Sequence, residues 1–195
     1  MNMETLLAVC AGLGLSAACG FRVFVPLLIM SIAVHSGHLG VSQSMAWIGS
    51  TPALVTFSIA TALEIGAYYI PWVDNFLDTI AAPAAVVAGT VVAASFITDV
   101  SPYLKWTLAA IAGGGAAGIV QATTTLARAA STATTGGLGN PLLATAELGG
   151  AVFTSAAAIF VPLLALGLIV AVVSLLGVRA LKRRSSPPGI PGAMA

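Results

Sequence analysis

Apolar residues fall into five long runs, 6–34, 52–70, 80–98, 108–130 and 150–178, separated by short polar or glycine-rich breaks. A helix needs about 20 apolar residues to cross the hydrocarbon core of a bilayer, and each run reaches or approaches that length. The pattern predicts an all-α integral membrane protein, a bundle of about five transmembrane helices. The second run opens with Pro52 in the first turn, where its missing N–H costs little. It ends at Tyr68, Tyr69 and Trp72, an aromatic cluster of the kind found at a membrane–water interface. A short amphiphilic piece, 74–78, leads into the third run, and Tyr103, Lys105 and Trp106 form a second interfacial belt. STATTGGLGNP, 131–141, is a polar break. The segment 140–150 is too short to cross but apolar enough to enter, which predicts a re-entrant element.

Small residues recur at four-residue spacing in the third run (Ala81, Ala85, Gly89, Ala93), and Gly114 and Gly118 follow the same spacing in the fourth. Such faces let helix backbones approach closely, within the bundle or between copies in a homo-oligomer. A repeat is also visible. Residues 6–28 align without gaps to 142–164, and Phe24-Val25-Pro26-Leu27-Leu28 recurs as Phe160-Val161-Pro162-Leu163-Leu164. Repeats of this kind are a habit of transporters.

Composition sharpens the class. Charged residues make up 7% of the chain and hydrophobic residues 58%, whereas a soluble domain keeps roughly 25% charged. Membrane lipid is therefore the expected solvent and partner, and no nucleic-acid role is expected. Arg179, Lys182, Arg183 and Arg184 follow the last apolar run, which places the C-terminus in the cytoplasm and the N-terminus outside. The chain divides into a polytopic domain, 1–178, and a basic, then Pro/Gly-rich tail, 179–195, disordered by composition. Cys10 and Cys19 point to opposite helix faces and read as small buried thiols. The N-terminal MNMET lacks the positive charge of a cleaved secretory signal.

The few charges inside the runs carry the candidate chemistry. Arg22 lies near the middle of the first run, between Gly20 and Pro26. Glycine and proline weaken a helix locally, so the trio predicts an irregular backbone with a charge beside it. Glu64 is its expected partner, because two opposite buried charges cost less together than apart. Asp74 and Asp78 are one helical turn apart and form either a cation or proton site or a solvated rim. Arg128 stands near the end of its run and is expected to snorkel to water. Glu147, bracketed by Pro141 and by Gly149-Gly150, fits a re-entrant site, and Pro162 interrupts the last run. Asp99 reads as a turn or capping residue. Gln121 and Thr123–Thr125 line a polar path or bond the backbone.

His35 and His38 come without HExxH or CxxC, so no metal site is expected, and no cofactor motif is present. The absence of a P-loop or a GxSxG elbow disfavours an ATP-driven or acyl-transfer enzyme. Three stretches, GLSAACGFRVFVPLL, AYYIPWVDNFLDTIAAP and GNPLLATAELGGA, resemble the signature segments of a bacterial inner-membrane family catalogued as a domain of unknown function, DUF4126. The resemblance implies a domain boundary and a location in the bacterial cytoplasmic membrane, and supplies no activity. On the residues alone, a secondary transporter or channel for a small solute or ion is expected. A lipid-handling protein, flippase-like or acting on headgroups, and a structural or assembly partner are the alternatives.

Overall fold

A computed structural model describes residues 3–162 and residue 171, and within them the side chains at 4, 5, 71, 72, 74, 75 and 78 lie outside the description. The expected last run beyond residue 162 and the tail 179–195 also lie outside the described residues. Among the described residues all regular structure is helical. The order is α1 (Met3–Ala18), α2 (Phe24–His35), a 3₁₀ segment (Gln43–Gly49), α3 (Thr51–Ala67), α4 (Pro71–Phe96), α5 (Pro102–Ala109), a π segment (Ala110–Gly114), α6 (Gly115–Thr135) and α7 (Asn140–Phe160).

The first apolar run is broken outright at 19–23. The end of α1 tightens into i→i+3 bonds, Gly20 N to Ala17 O and Phe21 N to Ala18 O, each 3.0 Å. Pro26 then falls in the first turn of α2, where a backbone donor has no helical acceptor anyway. After the break the chain turns back. α1 runs against α4 so that Gly12 packs on Phe96 and Ser16 Oγ donates to Gly89 O (2.8 Å). α2 runs antiparallel to α3: Glu64 meets Val23 and Phe24 at one end, and Ser31 Oγ donates to Ile48 O (2.6 Å) at the other. Leu7 and Ala8 of α1 accordingly share one cleft with Leu39 and Gly40, which follow α2. The run is a helical hairpin that returns to the end at which it began, not the single crossing its length predicts.

Other expectations are corrected in the same way. Residues 140–150 are no re-entrant element, because Pro141 opens the uninterrupted helix α7, which ends at Phe160, before Pro162. The piece 74–78 is the first part of α4. The polar break 131–141 is shorter than expected: α6 continues to Thr135 and closes on Gly136, whose φ of 63° permits the left-handed C-terminal cap. Ser101, not Asp99, caps α5, through Leu104 N (3.3 Å); Asp99 takes the turn conformation, with φ of 59°. Among the described residues two helical segments, Thr79–Phe96 and Asn140–Phe160, are long and apolar enough to cross a membrane, fewer than the runs expected there. The 3₁₀ segment and α3, bent by 59°, make a third if counted together.

The small-residue stripe of α4 packs inside the chain. A Cβ on Gly89 would lie 2.7 Å from both Ala117 Cβ and Gly113 O, so α4 and the π segment cross backbone to backbone. Ala85, Val92, Ala117, Leu15 and Cys19 continue the core on either side. One end of the bundle gathers Lys105, whose Nζ donates to Ser42 Oγ (3.1 Å) and Ser44 Oγ (2.9 Å). Ser95 joins it, its carbonyl accepting from Ser42 N (2.7 Å). At the other end Tyr69 Oη meets Thr145 Oγ1 at 2.9 Å.

The hairpin makes a topological prediction. With Cys10→Ala and Cys19→Ala as background, single cysteines at Met3→Cys and His38→Cys are expected to react with an impermeant maleimide from the same face of the membrane. Labelling from opposite faces would restore a single crossing.

Candidate functional site

Three helices and the hairpin turn bring the buried charges together. Arg128, on the inner face of α6, forms a two-pronged contact with Glu147 of α7: Nε to Oε1 at 2.9 Å and Nη2 to Oε2 at 2.5 Å. This side-on fork matches guanidinium to carboxylate geometry and gives the strongest form of ion pair. Arg22 enters from the hairpin turn. Its Nη2 donates to Ala144 O (2.9 Å) and lies 3.6 Å from Glu147 Oε2. Tyr68, just past α3, lies beside both arginines, with Arg22 Cζ 3.6 Å and Arg128 Cζ 4.7 Å from the ring centroid. The negative face of an aromatic ring attracts a cation most where water is excluded. Arg22, Arg128 and Glu147 are all buried, at 2%, 4% and 8% exposure.

Glu64 does different work. Its Oε1 accepts from Val23 N (2.7 Å) and its Oε2 from Phe24 N (3.0 Å), the free donors at the start of α2. Val23 supplies no side-chain cap of its own. A carboxylate from another helix therefore closes the broken end, favoured by the positive pole of the helix. Arg22 makes its ion contact with Glu147, while Glu64, close enough to act on Arg22 electrostatically, turns its oxygens to the backbone beside it.

The inner faces of three helices carry polar residues among small and apolar ones. Glu147 stands in a buried stripe on α7 with Asn140, Ala144, Ala151, Ser155 and Ala158. α6 buries Ala117, Gln121, Thr124 and Arg128, and α3 buries Thr61 and Glu64. Spacings of three and four residues put each set on one face. Thr61 Oγ1, Asn140 Oδ1 and Ser155 Oγ on these faces, and Arg22 Nε and Nη1 in the hairpin turn, have no hydrogen-bond partner among the described residues. Buried polar atoms are nearly always bonded, so an unbonded set in one interior invites a ligand or water.

The remaining expected residues are placed as follows. Arg128 does not snorkel; it is buried against Glu147. Glu147 keeps its place in the cluster but on a continuous helix. Gly20 lies where a Cβ would strike the backbone of Ala117 and Gln121, so the absence of a side chain lets α6 close on the hairpin turn. Asp74 and Asp78 belong to α4, and their side chains lie outside the description. No group of three or more metal-ligating side chains occurs among the described residues. Tyr68, read as an interfacial aromatic, is the site's cation platform. Thr61, Asn140 and Ser155 were not singled out by sequence. Thr61 lies three residues from Glu64, and Asn140 and Ser155 lie seven and eight residues from Glu147, spacings that return to one helix face, and that is the signal that marks them.

The chain belongs to the family described as Domain of unknown function (DUF4126), whose model matches residues 9–183. No curated protein and no solved structure matches it.

Removing one partner of a buried pair leaves the other charge uncompensated, at a cost of about 3–5 kcal/mol. Arg128→Ala leaves Glu147 with only the longer Arg22 approach of 3.6 Å and is expected to lose stability toward the lower end of that range, and Gln121→Ala, which removes one side-chain bond to Thr125, about 1 kcal/mol. Reversible unfolding in mixed micelles measures both. Equal losses would mean that the Arg128–Glu147 pair contributes no more than an ordinary hydrogen bond.

Proposed function

We propose that the protein is a small secondary transporter or channel of the bacterial inner membrane, with its Lys105 end toward the cytoplasm. Its solute or ion moves along the polar inner faces of α3, α6 and α7, past Arg22. The observation that carries the reading is the set of buried polar atoms without a partner among the described residues, Thr61 Oγ1 on α3, Asn140 Oδ1 and Ser155 Oγ on α7, and Arg22 Nε and Nη1 in the hairpin turn. On α7 alone, Asn140 and Ser155 are separated by about 22 Å at about 1.5 Å per residue, most of the roughly 30 Å hydrocarbon core. A bundle built only for structure has little use for such groups, since apolar side chains replace a buried ion pair at no cost in stability.

The broken hairpin adds a second support. Non-helical backbone at membrane depth is tolerated where protein satisfies it or where it lines a solute site, and helix ends aimed at solutes recur in transporters. Glu64 satisfies the α2 end while leaving Arg22 one residue away, next to the cluster.

A lipid-handling role is the second reading, and one observation favours it. A cavity of about 380 Å³ lies between α2, α3 and α4. Phe24, Leu63 and Ile80 give it apolar walls, and Glu64 and Tyr68 also line it. Leu63 on its rim is 68% exposed. An acyl chain fits such walls.

Purified protein in liposomes with an internal pH dye, challenged with a panel of ions and small metabolites, tests the proposal. Flux of at least one solute is expected, lowered about tenfold or more by Arg22→Ala and reduced by Glu64→Gln. Robust flux that both substitutions leave untouched would remove this site from the path. No flux for any solute, with folding intact, would favour the structural role.

A further inference from the structure

We infer that Arg22 is the seat of a small oxyanion, and that Glu147 competes with that anion for the guanidinium groups. The inference rests on reading the cluster as a solute site and names the chemistry of what it takes.

The two arginines are unequally served. Arg128 grips both oxygens of Glu147, at 2.9 and 2.5 Å. Arg22 is left with one hydrogen bond, Nη2 to Ala144 O, and a longer approach to Glu147 Oε2 at 3.6 Å, beyond hydrogen-bond reach. Its Nε and Nη1 have no acceptor, although the residue is only 2% exposed. Tyr68 covers the flat face of the Arg22 guanidinium at 3.6 Å, but N–H bonds lie in the guanidinium plane and point away from a ring stacked on it. Two N–H edges of Arg22 therefore have no oxygen acceptor among the described residues.

The unmet groups on Arg22 are donors on a full positive charge, so the missing partner is an acceptor and not a cation. A second guanidinium beside the same tyrosine ring adds to the attraction. Glu64, a second carboxylate near the cluster among the described residues, has its oxygens turned to the N-terminal amides of α2. A carboxylate or phosphate, with several oxygens on one centre, matches guanidinium edges better than a spherical ion or a neutral carbonyl. Glu147 already shows that this interior holds a carboxylate between arginines, and an incoming oxyanion would contend with it for the same donors.

The test is a thermal-unfolding titration of the full chain in maltoside micelles free of phosphate. Sodium acetate and inorganic phosphate are added in separate arms against sodium chloride at matched ionic strength, and phosphatidylglycerol is added in a further arm. A saturable rise in the unfolding midpoint beyond that of chloride is expected. A rise with acetate or phosphate identifies a free oxyanion, and a rise with phosphatidylglycerol alone identifies a lipid headgroup as its source. Glu147→Gln removes the competing charge and is expected to tighten binding about tenfold. Arg22→Lys keeps the charge but not the fork and is expected to weaken it about tenfold. Arg22→Gln removes the charge and is expected to abolish binding; should it or Glu147→Gln fail to fold, Arg22→Lys carries the test. No saturable effect beyond chloride in any arm, or affinities unchanged in Arg22→Lys, would overturn the inference. Oxyanion binding without flux would leave it standing and end the transport reading; cation flux without oxyanion binding would do the reverse.

Discussion

A guanidinium taken out of water must find its counter-charge inside the fold, and among the described residues two arginines draw on the same carboxylate and the same aromatic ring. Arg22 comes from the hairpin turn, Arg128 from α6, Glu147 from α7 and Tyr68 from the end of α3. An uncompensated charge in that interior would cost far more than any single apolar contact repays. The relative placement of these elements is consequently tied to one small volume. A shift of α7 along its axis by one residue, about 1.5 Å, would carry Glu147 out of the Arg128 fork.

The charges can meet because backbones around them come close. In lipid, helices gain little from burying apolar surface against each other, so packing depends on shape and on small side chains. Gly20 admits α6 to the hairpin turn, and Gly89 admits the π segment to α4. Ser16 adds a polar link at that crossing, its hydroxyl lying 2.7 Å from Gly12 O and 2.8 Å from Gly89 O. The π turn has its own consequence, since a widened turn rotates the residues that follow it. Beyond it, α6 turns Gln121, Thr124 and Arg128 inward.

Glu64 connects this packing to the site. A helix that begins inside an apolar interior exposes backbone donors that neither lipid nor a local side chain satisfies. Glu64 supplies both acceptors from α3, and the hairpin turn is thereby held at the level where Arg22 reaches Ala144 and Glu147. The rigid part of the site is thus the carboxylate–arginine fork and the capped helix end. Arg22 itself is the less constrained member, with fewer bonds than its neighbour.

The sequence by itself determined the helical, apolar character of the chain, because composition and run length act through transfer free energies that do not depend on how the helices pack. It also marked Arg22, Glu64, Arg128 and Glu147, since a charge within an apolar run is costly wherever the run ends up. Family membership was legible from the stretches around the same residues. The tertiary structure decided the pairing and the path. Gly20 and Pro26 signal a weak point, but whether the chain bends there or doubles back depends on what α3 and α4 offer on either side. Arg22 chose Glu147, 125 residues away, over the nearer Glu64, because Glu64 was already claimed by the donors that the break itself exposed. Local pattern records the cost of each buried group; only the packed fold brings together the groups that offset it.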